Sequence, residues 1–108
     1  NGAAAEVYLG VAGGDRLDDP AADLEVAAAL VSALADKPLP GDAVWFGEVS
    51  LAGEIRPVAH AAIRLREAAK LGFGRAFGPG EAGGKVEGSR FTALSLLPNL
   101  VDRIMGGA

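Results

Sequence analysis

The segment AVWFGEVSLAGEIRPV, at residues 43–58, decides the fold of this chain of 108 residues. Its first four residues, 43–46, are continuously apolar, which is typical of a strand that is covered on both faces of a sheet. Residues 48–58 carry the pattern of a β-hairpin whose tip lies at residues 52–53. Pro57 has no amide hydrogen to donate, so we expect its strand to lie at an edge or to end there.

Helices are predicted on both sides of this segment. Upstream, Asp19 and Pro20 form a helix start, because an aspartate caps free amides and a proline suits the first helical position. This helix is expected to end at about Ala35, and its apolar residues cover nearly the whole circumference, which predicts a central, buried helix. Downstream, residues 59–71 show one apolar and one charged side, and a last helix is expected from about Ser95.

Shorter strands complete the pattern. Residues 6–12 alternate between apolar and polar side chains, and residues 75–77 and 86–93 also have the pattern of short strands. Strands that alternate with helices predict an α/β (α+β) fold. We expect residues 1–108 to form a single domain that lacks its N-terminal strands, since the first predicted strand begins at residue 6.

Composition excludes several classes of protein. Half of the residues are apolar and the net charge is −4, which is unlike a disordered chain. There is no cysteine, so disulfides and thiolate metal sites are excluded, and one histidine alone makes no histidine metal site. The apolar stretches are too short for a transmembrane helix, so we expect no membrane contact. The lack of cysteine and of an export signal predicts a cytoplasmic protein.

Three patterns that could carry chemistry are each explained better by an ordinary structural role. The glycine-rich stretches 10–14 and 78–85 lack the sequence of a phosphate-binding loop, so turns are favoured. His60 could act as a general base, but no serine or acidic partner lies at a suitable spacing, and a histidine at a helix end is favoured. Helix capping explains most of the four aspartates that could otherwise bind a hard cation, which are Asp15, Asp18, Asp19 and Asp23.

Basic side chains cluster around the second predicted helix. Arg66 and Lys70 are four residues apart and share a face, while Arg64 lies about 200° round the helix from Arg66. Arg56 precedes the helix and Arg75 follows it. The cluster is compatible with a solvated face, a subunit contact or a local nucleic-acid contact. The net charge of −4 argues against a broad nucleic-acid surface.

Four segments, in the right order and at close spacing, resemble a known family. They are DDPAADL at 18–24, ALVSAL at 29–34, FGEVSLAGEIRPV at 46–58 and RLREAAKLGF at 64–73. They are similar to the C-terminal Lon-protease-like domain of the RadA (Sms) family of bacterial DNA repair proteins. The PAAD and EAAKLGF motifs within them separate this family from true Lon proteases. The resemblance implies a Lon proteolytic-domain-like fold, which is the ribosomal protein S5 domain 2-like fold.

The resemblance also implies that the proteolytic chemistry is lost. Active Lon proteases use a Ser–Lys dyad, in which the lysine takes the proton of the serine. Alignment of the shared segments puts Ala21 at the position of the serine and Ala62 at the position of the lysine. A methyl group can neither attack a carbonyl nor accept a proton, so no catalytic residue is expected in this chain.

The family further implies a larger protein. Its members carry a zinc-binding segment and a RecA-like ATPase core, so ATP, Mg and Zn are expected in those regions and no cofactor in this chain. They form homo-hexameric rings that bind single-stranded or branched DNA and drive branch migration during recombination. The candidates for DNA contact here are Arg64, Arg66 and Lys70, followed by Arg56 and Arg75. The alternatives are a protein-interaction module without DNA contact and a Lon-type peptidase with another nucleophile.

Overall fold

A computed structural model of the chain describes residues 19–80 and 90–106. The predicted strand at residues 6–12 and the first half of the one at 86–93 lie outside these residues. The described part forms a 3-10 turn, three helices and five strands. Their bounds are the 3-10 turn Pro20–Ala22, α1 Asp23–Ala35, β1 Ala43–Trp45, β2 Glu48–Val49, β3 Ile55–Arg56, α2 Ala61–Lys70, β4 Arg75–Gly78, β5 Arg90–Ala93 and α3 Leu97–Met105.

The described strands form a parallel sheet and a separate hairpin. The sheet has the order β1-β4-β5, and both neighbouring pairs are parallel. Strands β2 and β3 pair antiparallel, with Val49 opposite Ile55. Between them, the amide of Gly53 donates to the carbonyl of Ser50 at 2.9 Å, and Gly53 has a φ of 83°, which favours glycine. The predicted hairpin is therefore confirmed, with Leu51 and Ala52 at the centre of its turn, one residue earlier than predicted, and so is the α/β class.

Helices cover both faces of the parallel sheet. Side chains alternate between the two faces of a strand, so Trp45 and Val44 belong to opposite faces. The larger core cluster joins the Trp45 face to α1 and α3. Its buried members are Leu24, Ala28, Trp45, Ile55, Phe77, Leu94, Leu100 and Ile104. The smaller cluster joins the other face to α2 through Phe46, Leu65 and Ala76. The apolar strand β1 is therefore covered on both sides, as its sequence predicts.

One aromatic pair fixes β1 against β4. Trp45 and Phe77 are register partners, and their rings stack with centroids 4.0 Å apart and planes inclined by 10°. The guanidinium of Arg103, on α3, lies 6.0 Å from the centroid of the Phe77 ring. Both aromatic residues are buried, so their stacking adds about 0.5–1.5 kcal/mol to the stabilisation from burial. Stacking of these two rings thus stabilises the pairing of β1 with β4 in addition to the backbone hydrogen bonds.

Helix α1 is not buried on all sides, so that prediction is wrong. Leu24 and Ala28 are fully buried, whereas Leu34 is 78% exposed. Much of the apolar circumference consists of alanine, which favours a helix at buried and exposed positions alike. The predicted cap is confirmed: Asp19 Oδ1 accepts the amide of Ala21 at 3.0 Å, and the first turn is a 3-10 turn.

The other two helices begin two residues later than predicted. Helix α2 begins at Ala61 because His60 has a left-handed backbone, with a φ of 60°. Helix α3 begins at Leu97 rather than Ser95. The amide of Leu96 donates to Asn99 Oδ1 at 2.9 Å, which fixes that start.

A close approach at Gly78 predicts that a methyl group there destabilises the fold. An added Cβ would lie 2.9 Å from the carbonyl oxygen of Phe46 and 3.0 Å from its ring. We expect Gly78→Ala to lower the free energy of unfolding by about 1–3 kcal/mol, measured by urea denaturation. The matched control is Gly80→Ala, whose Cβ would lie 3.8 Å from Ala93, an ordinary contact. Equal unfolding midpoints for the two variants would contradict the packing described here.

Candidate nucleic-acid interface

Helix α2 presents a solvent-exposed side that carries two of the basic candidates. Its inner side is fixed by Leu65 and Ala68, which are buried. Five side chains are exposed on the opposite side, and we call them the outer face of α2. They are Ala62, Ile63, Arg66, Glu67 and Lys70.

Arg66 and Lys70 are the two cations of this outer face, and we call them its free cations because neither has a partner among the described residues. They lie one helical turn apart, so their side chains are neighbours. Neither side chain makes an ion pair or a hydrogen bond within the part of the chain that the structure describes. With Glu67, the face has two positive charges and one negative. Two free cations at this spacing can contact phosphates of a nucleic acid or carboxylates of a protein.

Arg64 lies at the flank of α2 and is held by a carboxylate. Its Nη1 lies 3.4 Å from Asp19 Oδ2, and its Nε donates to the carbonyl of Ala59 at 3.1 Å. Because Asp19 caps the turn before α1, this pair joins the start of α1 to α2. Both side chains are at least one-third exposed, so we expect the pair to contribute less than about 1 kcal/mol to stability.

Arg56 and Arg75 are also paired with carboxylates. Arg56 Nη2 lies 2.8 Å from Glu54 Oε1, and Arg75 Nε lies 3.1 Å from Asp42 Oδ1. The hydrogen bond and the charge of Arg56 lower the pKa of Glu54, and the same two effects of Glu54 raise the pKa of Arg56. Phosphates would have to compete with these carboxylates for both guanidinium groups.

The five basic candidates therefore fall into two groups. Two are free cations on the outer face of α2, and three share their charge with a carboxylate. Sequence reasoning missed these carboxylates. The pairing of Glu54 with Arg56 could have been predicted from their spacing, because residues two apart in a strand share a face. Asp42 and Asp19 gave no such signal, because they lie 33 and 45 residues from their arginines and only the fold brings them close.

The two alanines at the expected dyad positions lie on adjoining elements. Ala21 is in the 3-10 turn with only 4% of its surface exposed, whereas Ala62 is exposed in the first turn of α2. The ion pair of Asp19 with Arg64 connects these elements, two residues from each alanine. The amide of Ala21 donates to Asp19, and its carbonyl accepts the amide of Gly47 at 3.0 Å, so both backbone polar groups of Ala21 are hydrogen-bonded.

His60 has no partner that would make it a base in the described residues. It is exposed, it precedes α2 in a left-handed conformation, and its side chain does not cap the helix. A left-handed backbone is several-fold more common for histidine than for most side chains, so the position has a structural explanation.

The acidic residues form no metal site in the described part of the chain. Asp23 Oδ2 accepts the amide of Val49 at 3.0 Å, which fastens the hairpin to the start of α1. Asp15 and Asp18 lie outside the described residues, as do residues 10–14 and 81–85 of the glycine-rich stretches. Within residues 19–80 and 90–106, no group of three or more His, Cys, Asp or Glu could hold a metal ion. No helix in these ranges is long and apolar enough to cross a membrane.

The Glu54–Arg56 pair predicts a measurable titration. The pKa of Glu54 is lowered from its usual 4.5 in the folded chain. Ionised Glu54 therefore stabilises the folded state when the pH is above 4.5, and this stabilisation is lost as the pH falls through the pKa that Glu54 has in the folded chain. We expect Arg56→Gln to return the Glu54 pKa toward 4.5, measured by NMR titration of the carboxyl group. Arg66→Gln is the control and should leave it unchanged. A Glu54 pKa that is insensitive to Arg56→Gln would refute the pair.

Comparison with known proteins finds that the chain is similar to part of bacterial proteins that are named for DNA repair. No family model matches it. It is 52% identical over 101 residues, 92% of this chain, to DNA repair protein RadA of Brucella abortus. It is 59% identical over 68 residues to the protein of that name in Rickettsia bellii and 53% identical over 74 residues to the one in Escherichia coli. The matches span 22%, 15% and 16% of the length of these relatives. The chain is thus similar to a segment that makes up about a fifth or less of the length of these bacterial proteins, each of which is named DNA repair protein RadA.

Proposed function

We propose that this chain is a non-proteolytic, Lon-like domain at the C-terminal side of a RadA-type DNA repair protein. It serves as a scaffold for self-association and as a DNA contact, and it does not catalyse a reaction. The observation that carries the proposal is the 52% identity to a DNA repair protein over 92% of the chain. The free cations of the outer face of α2 support the DNA contact.

The residues at the two dyad positions support the lack of proteolysis. Ala21 and Ala62 offer no hydroxyl and no amine, so neither nucleophilic attack nor proton transfer can occur there. Ala21 is also buried, and its amide already donates to Asp19, so it is not available to stabilise an oxyanion. A fold that resembles a protease is therefore compatible with a role in binding alone.

The charge pattern ranks the proposed DNA contacts. Arg66 and Lys70 come first, because their charges are exposed and unopposed by any ion pair in the described residues. Arg64 follows, since its bond to Asp19 is long at 3.4 Å and can exchange for a phosphate. Arg56 and Arg75 rank last, because each has a shorter bond to its carboxylate.

The proposal extends to the longer protein of which this chain would be a part. That protein is a DNA-dependent ATPase that forms a homo-hexamer and drives branch migration on single-stranded or branched DNA. ATP, Mg and Zn belong to its other regions, and no cofactor belongs to this chain. A cytoplasmic location remains part of the proposal.

A protein-interaction module without DNA contact is the second candidate. It is favoured by the apolar side chains around the free cations: Ile63 is 50% exposed and Leu71, next to Lys70, is 75% exposed. Apolar groups interleaved with cations suit an acidic protein surface at least as well as a phosphate backbone. The two candidates differ in their response to salt and to the type of partner.

DNA binding by the outer face of α2 predicts a defined salt dependence. Each neutralised phosphate of duplex DNA contributes about −0.9 to the slope of log K against log salt. We therefore expect Lys70→Gln to reduce the slope by about one, and Arg66→Gln with Lys70→Gln by about two. Fluorescence anisotropy with labelled DNA measures both. The control is Lys37→Gln, another exposed lysine, which should leave the slope unchanged.

Two results would decide against DNA contact at this face. The first is an equal loss of affinity for Lys37→Gln and Lys70→Gln, because the binding would then follow net charge alone. The second is no binding by the unmodified chain at low salt, which would favour the protein-interaction module.

Loss of the dyad predicts that the chain does not react with serine-directed inhibitors. A fluorophosphonate probe labels only an activated serine. In the described residues the hydroxyl of Ser32 donates to the backbone carbonyl of Lys37 and that of Ser50 pairs with Glu54, so neither has a lysine amine or a histidine ring as its partner. We expect no labelling by intact-mass measurement, with an active Lon protease as the positive control. Labelling at either serine would restore the peptidase alternative.

A further inference from the structure

A second group of basic side chains lies on the face of the sheet opposite α2. Arg75 on β4 and Arg90 on β5 are register partners, so their side chains leave the same face, on strands about 5 Å apart. That face also carries Phe77, because residues two apart in a strand share a face. Phe77 belongs to the core cluster with α1 and α3, whereas α2 covers the other face. The two arginines therefore lie on the side of the sheet away from α2.

Helix α3 adds a third arginine to this group. The guanidinium of Arg103 lies 6.0 Å from the centroid of the Phe77 ring, which is within the range of a cation–π contact. Phe77 follows Arg75 by two residues, about 7 Å along the strand. Arg75, Arg90 and Arg103 thus lie near the same buried ring, and we call them the β4–α3 cluster.

Two members of the β4–α3 cluster have charges that no carboxylate neutralises in the described residues. Arg90 and Arg103 are exposed, and neither has an ion-pair partner there. Arg75 is paired with Asp42. Like charges that face each other on neighbouring strands repel, so an anion bound beside Arg75 and Arg90 would relieve an unfavourable contact. The planar guanidinium fork matches phosphate, which it binds through two parallel hydrogen bonds.

We propose that the β4–α3 cluster binds the phosphate backbone of a second DNA segment, in addition to the segment held by the outer face of α2. The two surfaces lie on opposite faces of the sheet, so they would contact separate segments. Carboxylates also bind arginine, but phosphate is the anion that the proposed function supplies. The inference rests on that function, because it adds a second DNA contact to the one at α2. Two such contacts suit branched DNA, in which arms leave a junction in different directions.

The second contact is expected to be the weaker of the two. Two carboxylates border the β4–α3 cluster: Asp42 pairs with Arg75, and Asp102 is next to Arg103 in the chain. The outer face of α2 includes one carboxylate, that of Glu67. Carboxylates repel phosphates, so the outer face of α2 should be occupied first and the β4–α3 cluster at higher DNA concentration.

A capture assay tests whether the chain holds two DNA segments. A biotin-labelled duplex is fixed to streptavidin beads, and the assay measures how much of a free fluorescent duplex the chain retains at low salt. We expect retention by the unmodified chain, and at least about fivefold less by Arg90→Gln with Arg103→Gln. This variant should still bind a single duplex with an affinity within about threefold of the unmodified chain, because the outer face of α2 is intact.

Two further double variants complete the assay. The matched control is Lys37→Gln with Arg56→Gln, which removes the same charge from exposed residues outside both surfaces and should leave retention unchanged. Arg66→Gln with Lys70→Gln removes the first contact and should abolish retention.

A single substitution guards against loss of the fold. Arg90→Glu keeps the contact of Arg103 with Phe77 and places a carboxylate opposite Arg75, so we expect it to fold. It should also lower retention at least about fivefold, because it replaces a phosphate contact by a repulsive charge. Urea denaturation of each variant verifies that it is folded.

The other outcomes overturn the inference in distinguishable ways. Unchanged retention without Arg90 and Arg103 would mean that self-associated copies hold the two duplexes through their outer faces. Unchanged retention, together with poly-glutamate binding that depends on these arginines, would assign the cluster to an acidic protein. If the unmodified chain binds one duplex but retains no second one, only the β4–α3 cluster is wrong. If it binds no duplex at low salt, the proposed DNA contact fails as well.

Discussion

The backbone at Phe46 and Gly47 joins the three parts of the described fold. Directly after β1, the amide of Phe46 donates to the carbonyl of Phe77 at 3.0 Å, which continues the parallel pairing with β4. The amide of Gly47 donates to the carbonyl of Ala21 at 3.0 Å, which fixes the turn that begins α1. A Cβ at Gly47 would lie 3.0 Å from the side chain of Ile55, so the hairpin packs against the same point. Sheet, first helix and hairpin therefore depend on one backbone junction that only glycine fits.

The packing of α2 on the sheet determines which of its charges are exposed. Two parallel strands need a crossover connection, so α2 lies between β1 and β4 in the chain and uses its inner side to cover the sheet. Its outer face remains exposed, and Arg66 and Lys70 have no ion-pair partner there among residues 19–80 and 90–106. The capping residue Asp19, at the start of α1, reaches α2 and takes up the charge of Arg64. The same packing thus leaves the ion pair of Asp19 with Arg64 between the elements that carry the expected dyad positions, Ala21 and Ala62, and it leaves Ala62 on the outer face with Arg66 and Lys70.

Local patterns in the sequence predict the helices, strands and turns, whereas contacts between distant residues determine which helix sides are buried and which charges are paired. The apolar strand, the hairpin and the Asp19 cap follow from neighbouring residues, and all three are confirmed. The full burial of α1 is wrong because alanine does not distinguish a buried helix side from an exposed one. The carboxylate partners of Arg64 and Arg75 lie 45 and 33 residues away, so no local pattern reveals them. The clustering of basic residues in the sequence therefore overestimates the positive charge that is available for binding, since three of the five cations are paired with carboxylates.

The central claim is that the outer face of α2 makes the DNA contact of a domain without proteolytic chemistry. The most direct test maps backbone amide chemical shifts by NMR as a short DNA duplex is added, which a chain of 10.9 kDa allows. The account predicts that the largest shifts fall on Ala62, Ile63, Arg66, Glu67 and Lys70, with smaller ones at Arg64. Shifts that concentrate instead at Arg56 and Arg75, or that spread evenly over the chain, would contradict it.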